Sequence, residues 1–265
     1  MDFQIKESYD IADLVKVMEL LRSENGCPWD REQTHASIRK DLIEEAYETV
    51  EAIDYGSSKM LCEELGDLLM QVVFHSRIAQ EQNEFDFDDV ADGICKKLIL
   101  RHPHVFGDVK VNGSEQVLAN WDEIKKTEKG QTTATETLKS VPKVFPALMR
   151  SQKVQKRAAK AGFDYTDAEM AFGDLESEVA ELKQAMEQKN SENCFEEVGD
   201  VLFSAVNVAR MLGLDSEESL KASCDKFIDR FEKVEQLAIK NGVDMNSASL
   251  DSLNELWRKA KSAQS

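Results

Sequence analysis

Paired carboxylates are the residues of this chain whose spacing most plainly invites chemistry. Glu45 and Glu48 stand at i and i+3, and Glu64 and Asp67 repeat that spacing further on. On a helix such pairs share a face, with Cβ atoms about 5–6 Å apart. Two such helices running antiparallel would converge four carboxylates. Left unpaired, those charges repel one another and are costly to desolvate. A hard divalent cation resolves the conflict, because oxygen ligands suit magnesium or manganese. The pattern recurs at Glu178, Glu181, Glu197 and Asp200, again beside apolar runs. One ExxE is commonplace on an acidic surface. The recurrence of all four positions is what points to a metal.

Basic and aromatic residues accompany each carboxylate set. Lys97 with Arg101, and Lys226 with Arg230, are spaced i, i+4 and share a helix face. Beside a metal-carboxylate cluster they could hold the outer charges of a phosphate chain, arginine by its planar fork and lysine as a point charge. Trp121 with Lys125, and Trp257 with Lys261, repeat the same separation and could cover a base and reach a phosphate. No GxxxxGK[ST] or GxGxxG motif is present, so nucleotide use would depend on helices and carboxylates instead of a glycine-rich cradle. The four histidines (His35, His75, His102, His104) do not supply the two ExxH motifs from which di-iron bundles are built. The five cysteines form no CxxC pair and read as reduced thiols of a cytoplasmic protein.

The elements that must position these groups read as helices. Only four prolines and twelve glycines occur in 265 residues, which disfavours a turn-rich β fold. Apolar residues recur at spacings of three and four in 10–23 and 37–54. The segment Leu61–Ala79 is too long for a strand, and its apolar density predicts a helix buried on more than one side. The second half repeats the first: Glu45 falls on Glu178, Glu48 on Glu181, Glu64 on Glu197, Asp67 on Asp200 and Arg77 on Arg210, while Gly66 and Gly199 coincide. Gly66 is expected to permit close backbone approach. The pattern predicts two tandem helical bundles related by internal duplication, residues 1–126 and 141–265, joined by a polar, threonine-rich linker or mobile segment over 127–140.

Net charge of -18 argues against stable binding to nucleic acid or an anionic membrane, and no apolar run is long enough to span a bilayer. A small phosphate compound carried with a divalent metal remains compatible with that charge. The residues alone leave two readings open, metal-dependent phosphate hydrolysis and a helical interaction module.

At these positions the sequence resembles the MazG nucleoside triphosphate pyrophosphohydrolases, whose pattern is EExxE followed on the next helix by ExxD. The first copy reads EEAYE at Glu44–Glu48 and ELGD at Glu64–Asp67; the second reads SEVAE at Ser177–Glu181 and EVGD at Glu197–Asp200. NGCPWDREQTH (25–35), LRHPHVF (100–106) and PALMRSQKVQKRAAKAGFDY (146–165) are similar to this family as well. The resemblance implies an all-α, two-domain homodimer that uses Mg2+, with Mn2+ as a substitute. It implies hydrolysis of NTP or dNTP to the monophosphate and pyrophosphate, as in nucleotide-pool housecleaning. By the same carry-over, Glu178, Glu181, Glu197 and Asp200 hold the metal in the C-terminal domain. Lys226 and Arg230 bind phosphates, and Asn207, Trp257 and Lys261 complete the nucleotide pocket. Glu44, Glu45, Glu48, Glu64, Asp67, Lys97, Arg101, Trp121 and Lys125 form a second possible site. The copies depart from each other at Ser177, where the N-terminal copy has Glu44, and at Asn207, where it has Phe74.

Overall fold

The computed structural model describes residues 3–128 and 130–262, and every regular element among them is a helix. The chain divides into two compact units, Met1–Lys125 and Lys126–Ser265. In the first, α1 (Ile11–Leu21) begins at a capping box formed by Asp10 and Asp13. Short α2 (Pro28–Glu32) carries proline in its first turn, where the missing N–H costs nothing. The long pair α3 (Arg39–Asp54) and α4 (Ser58–Glu81) follows, then α5 (Phe87–Arg101), α6 (Pro103–Phe106) and α7 (Ser114–Glu128). Met18 of α1, Ile38, and Val73, Phe74 and Ile78 of α4 form the core, with Leu14, Val15, Met70 and Phe87 packed around them.

The apolar density of α4 is spent unevenly. Its C-terminal half is buried, whereas Leu65 and Leu69 in its first half stay exposed. That exposed half carries Glu64 and Asp67, so the acidic positions sit at the accessible end of a helix anchored by the other.

The second unit holds α8 (Ala134–Lys139), α9 (Ala147–Lys160), α10 (Ala168–Glu187), α11 (Ser191–Met211), α12 (Ser216–Lys240) and α13 (Leu250–Ser262). Side-chain caps from Asp167, Asn190 and Asp215 start α10, α11 and α12. A short loop folds α11 back along α10, and α9 packs against α11 and α12. Gln152 of α9 donates to the Leu214 carbonyl and accepts from the backbone N–H and hydroxyl of Ser216, fixing α9 to the turn before α12. Val234, Ala238, Leu256 and Ala260 form the seam between α12 and α13.

Residues 127–140, expected as a linker, contain the end of α7 and all of α8; Lys129 lies outside the described residues. Thr133 and Glu136 close a capping box on α8, and Arg157 of α9 donates to the Thr137 carbonyl and, at 2.7 Å, to the Ser140 hydroxyl. Such a short helix is held by its cap and by α9, not by an apolar stripe of its own, which is why periodicity misses it. The close approach expected at Gly66 is also not needed within this chain: a Cβ there, or at Gly199, would meet nothing within 4 Å.

Candidate active site

Each repeat gathers its carboxylates where two successive long helices pack together. On α10 and α11, ligand oxygens of Glu178, Glu197 and Asp200 lie within 4.8 Å of one another. On α3 and α4 the corresponding group is Glu45, Glu48 and Glu64, at the same spacing. The fourth member stays near each cluster but outside it. Asp67 is the leading charge acting on Glu45, and Glu181 the leading charge on Glu197. Ser177 donates to Glu181 at 3.3 Å, holding that carboxylate along its own helix.

The crowding has an electrostatic consequence. Partial desolvation, then repulsion led by Asp200, raises the pKa of Glu178; Glu197 is raised by desolvation and then by Glu181 and Asp200. Glu45 and Glu64 are raised in the same way, by desolvation and then by Asp67 and Glu48 respectively. Oxygen-only donors forced together against their own repulsion fit a hard divalent cation.

Only part of this arrangement is shared by what surrounds it. In the second unit, Glu178 and Asp200 line a cleft of 570 Å³ bounded by α9, the loop to α10, α10 and α11. Gly162, at φ +88, ends α9 and turns the chain into that loop. Val154, Ala158, Phe163, Met170 and Phe203 give the cleft an apolar wall. Its polar residues are mostly tied to one another. Tyr165 donates to Asp174 at 2.7 Å, and Ser204 donates to the same oxygen at 3.2 Å. Burial and the Asp174 carboxylate push the Tyr165 hydroxyl up to about 12. Arg210 forks onto Asp164, holding that carboxyl below the usual range, and its Nε donates to Asn207 Oδ1 at 2.8 Å.

In the first unit the position matching Asn207 is Phe74, which is 5% exposed and belongs to the core. The Arg22 guanidinium lies 5.3 Å from the centre of its ring. Arg22 is tied down by Glu81 and by the carbonyls of Asp30 and Gln33. Arg77, the counterpart of Arg210, bonds along its own helix to Glu81 and Gln80.

The basic and aromatic candidates are grouped on other helices. Arg230 of α12 stands over the Trp257 ring of α13 at 5.1 Å, and Phe227 packs on the same indole at 5.1 Å. Lys226 and Lys261 are exposed, and none of Lys226, Arg230, Trp257 and Lys261 lines the cleft. In the first unit Arg101 lies 6.0 Å from the Trp121 ring, with His102 edge-on to that indole; Lys97 is on α5 with Arg101, and Lys125 on α7 with Trp121. Sequence reasoning gave no role to Asp174, Tyr165, Gln155 or Ser204. Asp174 had a usable signal, since it precedes Glu178 by one helical turn. Gln155 and Tyr165 lie in the segment 146–165 that resembles the MazG family, but only the packing of α9 and its following loop brings them, with Ser204, beside the carboxylates.

Fold and site together define a class: all-helical proteins with a duplicated acidic helix pair, one copy of which opens on a cleft. The family model described as the MazG nucleotide pyrophosphohydrolase domain matches residues 33–106 and 169–235, one segment over each acidic pair. The chain belongs to the MazG family. It is 44% identical over 249 residues to the nucleoside triphosphate pyrophosphohydrolase/pyrophosphatase MazG of Thermotoga maritima, covering 94% of both chains. It is 42% identical over 257 residues to the nucleoside triphosphate pyrophosphohydrolase of Escherichia coli K12, covering 95% of this chain and 97% of that one. A crystal structure of a mazG-related protein from Thermotoga maritima aligns with 44% of this chain and 99% of its own, at 27% identity and a TM-score of 0.38.

Proposed function

We propose that this chain hydrolyses nucleoside triphosphates, NTP or dNTP, at the α–β phosphoanhydride, releasing the monophosphate and pyrophosphate, and that its C-terminal unit does most of the work. The observation that carries this reading is the Glu178, Glu197 and Asp200 cluster at the wall of the 570 Å³ cleft. These three residues, with Glu181 beside them, would hold Mg2+, or Mn2+ in its place. The cation, when bound, supplies Lewis-acid polarisation and charge neutralisation for the phosphates. The chain's own part is to orient the substrate and a water for in-line attack on the α-phosphorus. Lys226 and Arg230, outside the cleft wall of the single chain, are assigned to offset the charge of the leaving pyrophosphate. Trp257 contributes by stacking against Arg230 and limiting its freedom. Lys261 and Asn207 are assigned further nucleotide contacts. The resemblance to the family supports assigning this activity to nucleotide-pool housecleaning.

Incubation with a panel of NTPs and dNTPs in Mg2+ should yield pyrophosphate and monophosphate together, without free orthophosphate, and chelation should stop the reaction. Binding of every nucleotide without turnover would instead make the chain a nucleotide-responsive regulator.

We also propose a homodimer. Apolar side chains stay exposed on the acidic ends of both long pairs, Leu65 and Leu69 in one and Val198 and Leu202 in the other, more than one solvated face should carry. Light scattering should report about 60 kDa, twice the chain mass; a monodisperse, active species at half that value would reject it. No helix among the described residues is long and apolar enough to cross a membrane, and all five cysteines are unpaired. A reducing cytoplasm suits such a chain, and its net charge of -18 gives it little attraction for nucleic acid.

A further inference from the structure

One residue of the cleft wall carries a buried polar atom that the fold leaves without a partner. Gln155 of α9 is 5% exposed and lines the cleft. Its Nε2 donates to the Phe203 carbonyl of α11 at 2.8 Å. That bond fixes which way the amide faces, since the flipped amide would set oxygen against oxygen. The Oε1 is therefore an acceptor by construction, and it has no hydrogen-bond partner in the protein. A buried carbonyl oxygen in that condition is costly unless something brings it a donor. Asn207, on the same wall, is oriented in the opposite sense: its Oδ1 is taken by Arg210, so the amide nitrogen is what it can offer a ligand.

These groups stand at a defined distance from the acidic end. Asp200, Phe203 and Asn207 follow one face of α11: Phe203, whose carbonyl holds Gln155, lies about 4.5 Å of helix rise beyond Asp200, and Asn207 about 10 Å. That is comparable to the reach of a nucleoside from its α-phosphate to the edge of its base. The wall between is apolar. By contrast the Trp257 ring is already packed by Arg230 and Phe227.

Building on the proposed hydrolysis, we infer that the cleft seats the nucleobase, and that Gln155 is a specificity-determining residue that accepts a hydrogen bond from an N–H on the edge of that base. The site thus rewards bases by the donor they present, and replacing that N–H leaves the Gln155 oxygen buried without a partner. Sites built around a buried polar group reject analogues lacking the matching one far more strongly than apolar pockets reject a change of size.

The test pairs substrates with and without the donor: ATP against N6,N6-dimethyl-ATP, and UTP against N3-methyl-UTP. Wild-type protein and Gln155→Met, which keeps side-chain length and loses the acceptor, are compared by kcat/KM for pyrophosphate release. For at least one pair, the wild type should favour the parent by at least about 10-fold. In Gln155→Met that ratio should fall to within about twofold, because the parent substrate loses its advantage. A ratio near one for both pairs in the wild type overturns the inference. So does an unchanged ratio in the variant, which steric exclusion of the methyl groups would give. A shift confined to the ribo against deoxyribo ratio would assign the acceptor to the sugar and overturn it too. If Gln155→Met loses its helicity, Gln155→Leu takes its place in the same comparison, with the same collapse of the ratio expected. If the wild type releases no pyrophosphate from any nucleotide, the hydrolase reading fails; calorimetric binding of the same pairs then still tests the base contact, with the same ratios expected in Kd.

Discussion

The two acidic helix pairs carry the same carboxylates at the same spacing and differ in what lies beside them. In the C-terminal unit Asn207 faces a cleft, with Arg210 held across it to Asp164. In the N-terminal unit the matching residue is Phe74, sealed into a core with Met18, Ile38 and Val73 beneath Arg22. One side chain is a polar wall and the other is filling. Duplication has therefore kept a carboxylate cluster in both halves, and the 570 Å³ cleft lies beside Asp200. The cavity bounded by Val15, Val73, Arg77 and Phe87 in the first unit is 90 Å³, too small for a nucleotide, and no residue of the Glu45 cluster lines it. The same carboxylate pattern thus stands in two different surroundings, with Asn207 on a cleft wall in one and Phe74 in a core in the other.

The sharpest way to break this comparison is to remove one matched carboxylate from each half. Asp200→Ala should lower pyrophosphate release by at least about 100-fold, since a lost metal ligand withdraws the cation from the reacting phosphate. Asp67→Ala should leave most turnover intact. Initial rates, measured after helicity and dimerisation are verified, decide between the halves. A silent Asp67→Ala protein with a normal Asp200→Ala rate would move the working site to the first unit, where Glu44 completes the EExxE that Ser177 interrupts in the second.

Exchanging the two wall residues sharpens the same point. Asn207→Phe should fill the cleft and raise KM by at least about 10-fold, ~1.4 kcal/mol, with little loss of stability. The reciprocal Phe74→Asn removes a buried ring and should cost about 3–5 kcal/mol in urea unfolding, with a smaller effect on KM. Equal KM effects from both exchanges would mean that both halves hold substrate.

A smaller effect separates metal binding from turnover. Glu45, Glu64, Glu178 and Glu197 all lie above the usual carboxylate range, through desolvation and their acidic neighbours. A carboxyl raised in the folded state binds its proton more tightly there than in the unfolded chain. The stability this contributes is fully present below the unfolded-state pKa and is lost as pH rises through the raised folded-state values. Metal-free protein should lose that contribution on going from acid pH towards neutrality, where Mg2+, which needs the ionised form, restores stability. Thermal unfolding at pH 7 should rise by a few degrees with millimolar Mg2+ and should not respond at pH 4. Both halves carry raised carboxylates, so Asp67→Ala and Asp200→Ala should each reduce this response without abolishing it. A response abolished by Asp200→Ala alone would confine the metal to the second unit.

Much of this was readable from residue order. Helical periodicity, the scarcity of proline and glycine, and the recurrence of ExxE and ExxD are local properties, and an all-α duplicated fold with facing carboxylates follows from the helix repeat. Which three of four carboxylates converge did not follow. Glu48 joins the first cluster while its counterpart Glu181 stays outside the second, where Ser177 donates to it; that depends on rotamers and neighbours that a spacing rule cannot rank. The six-residue α8 also escaped, because its support comes from Arg157, twenty residues beyond Thr137.

What the sequence by itself determined was the repertoire: two sets of carboxylates at matching helical spacing, and an asparagine where the first copy has phenylalanine. What only the tertiary structure decided was the space. The cleft exists because α9 and its following loop stand against α10 and α11 so that Tyr165, Asp174 and Ser204 satisfy one another and Gln155 spends its donor on Phe203. Those contacts join residues up to forty-eight positions apart. Hydrogen-bond partners so distant in sequence are chosen by packing, and so is the buried Gln155 oxygen left without one.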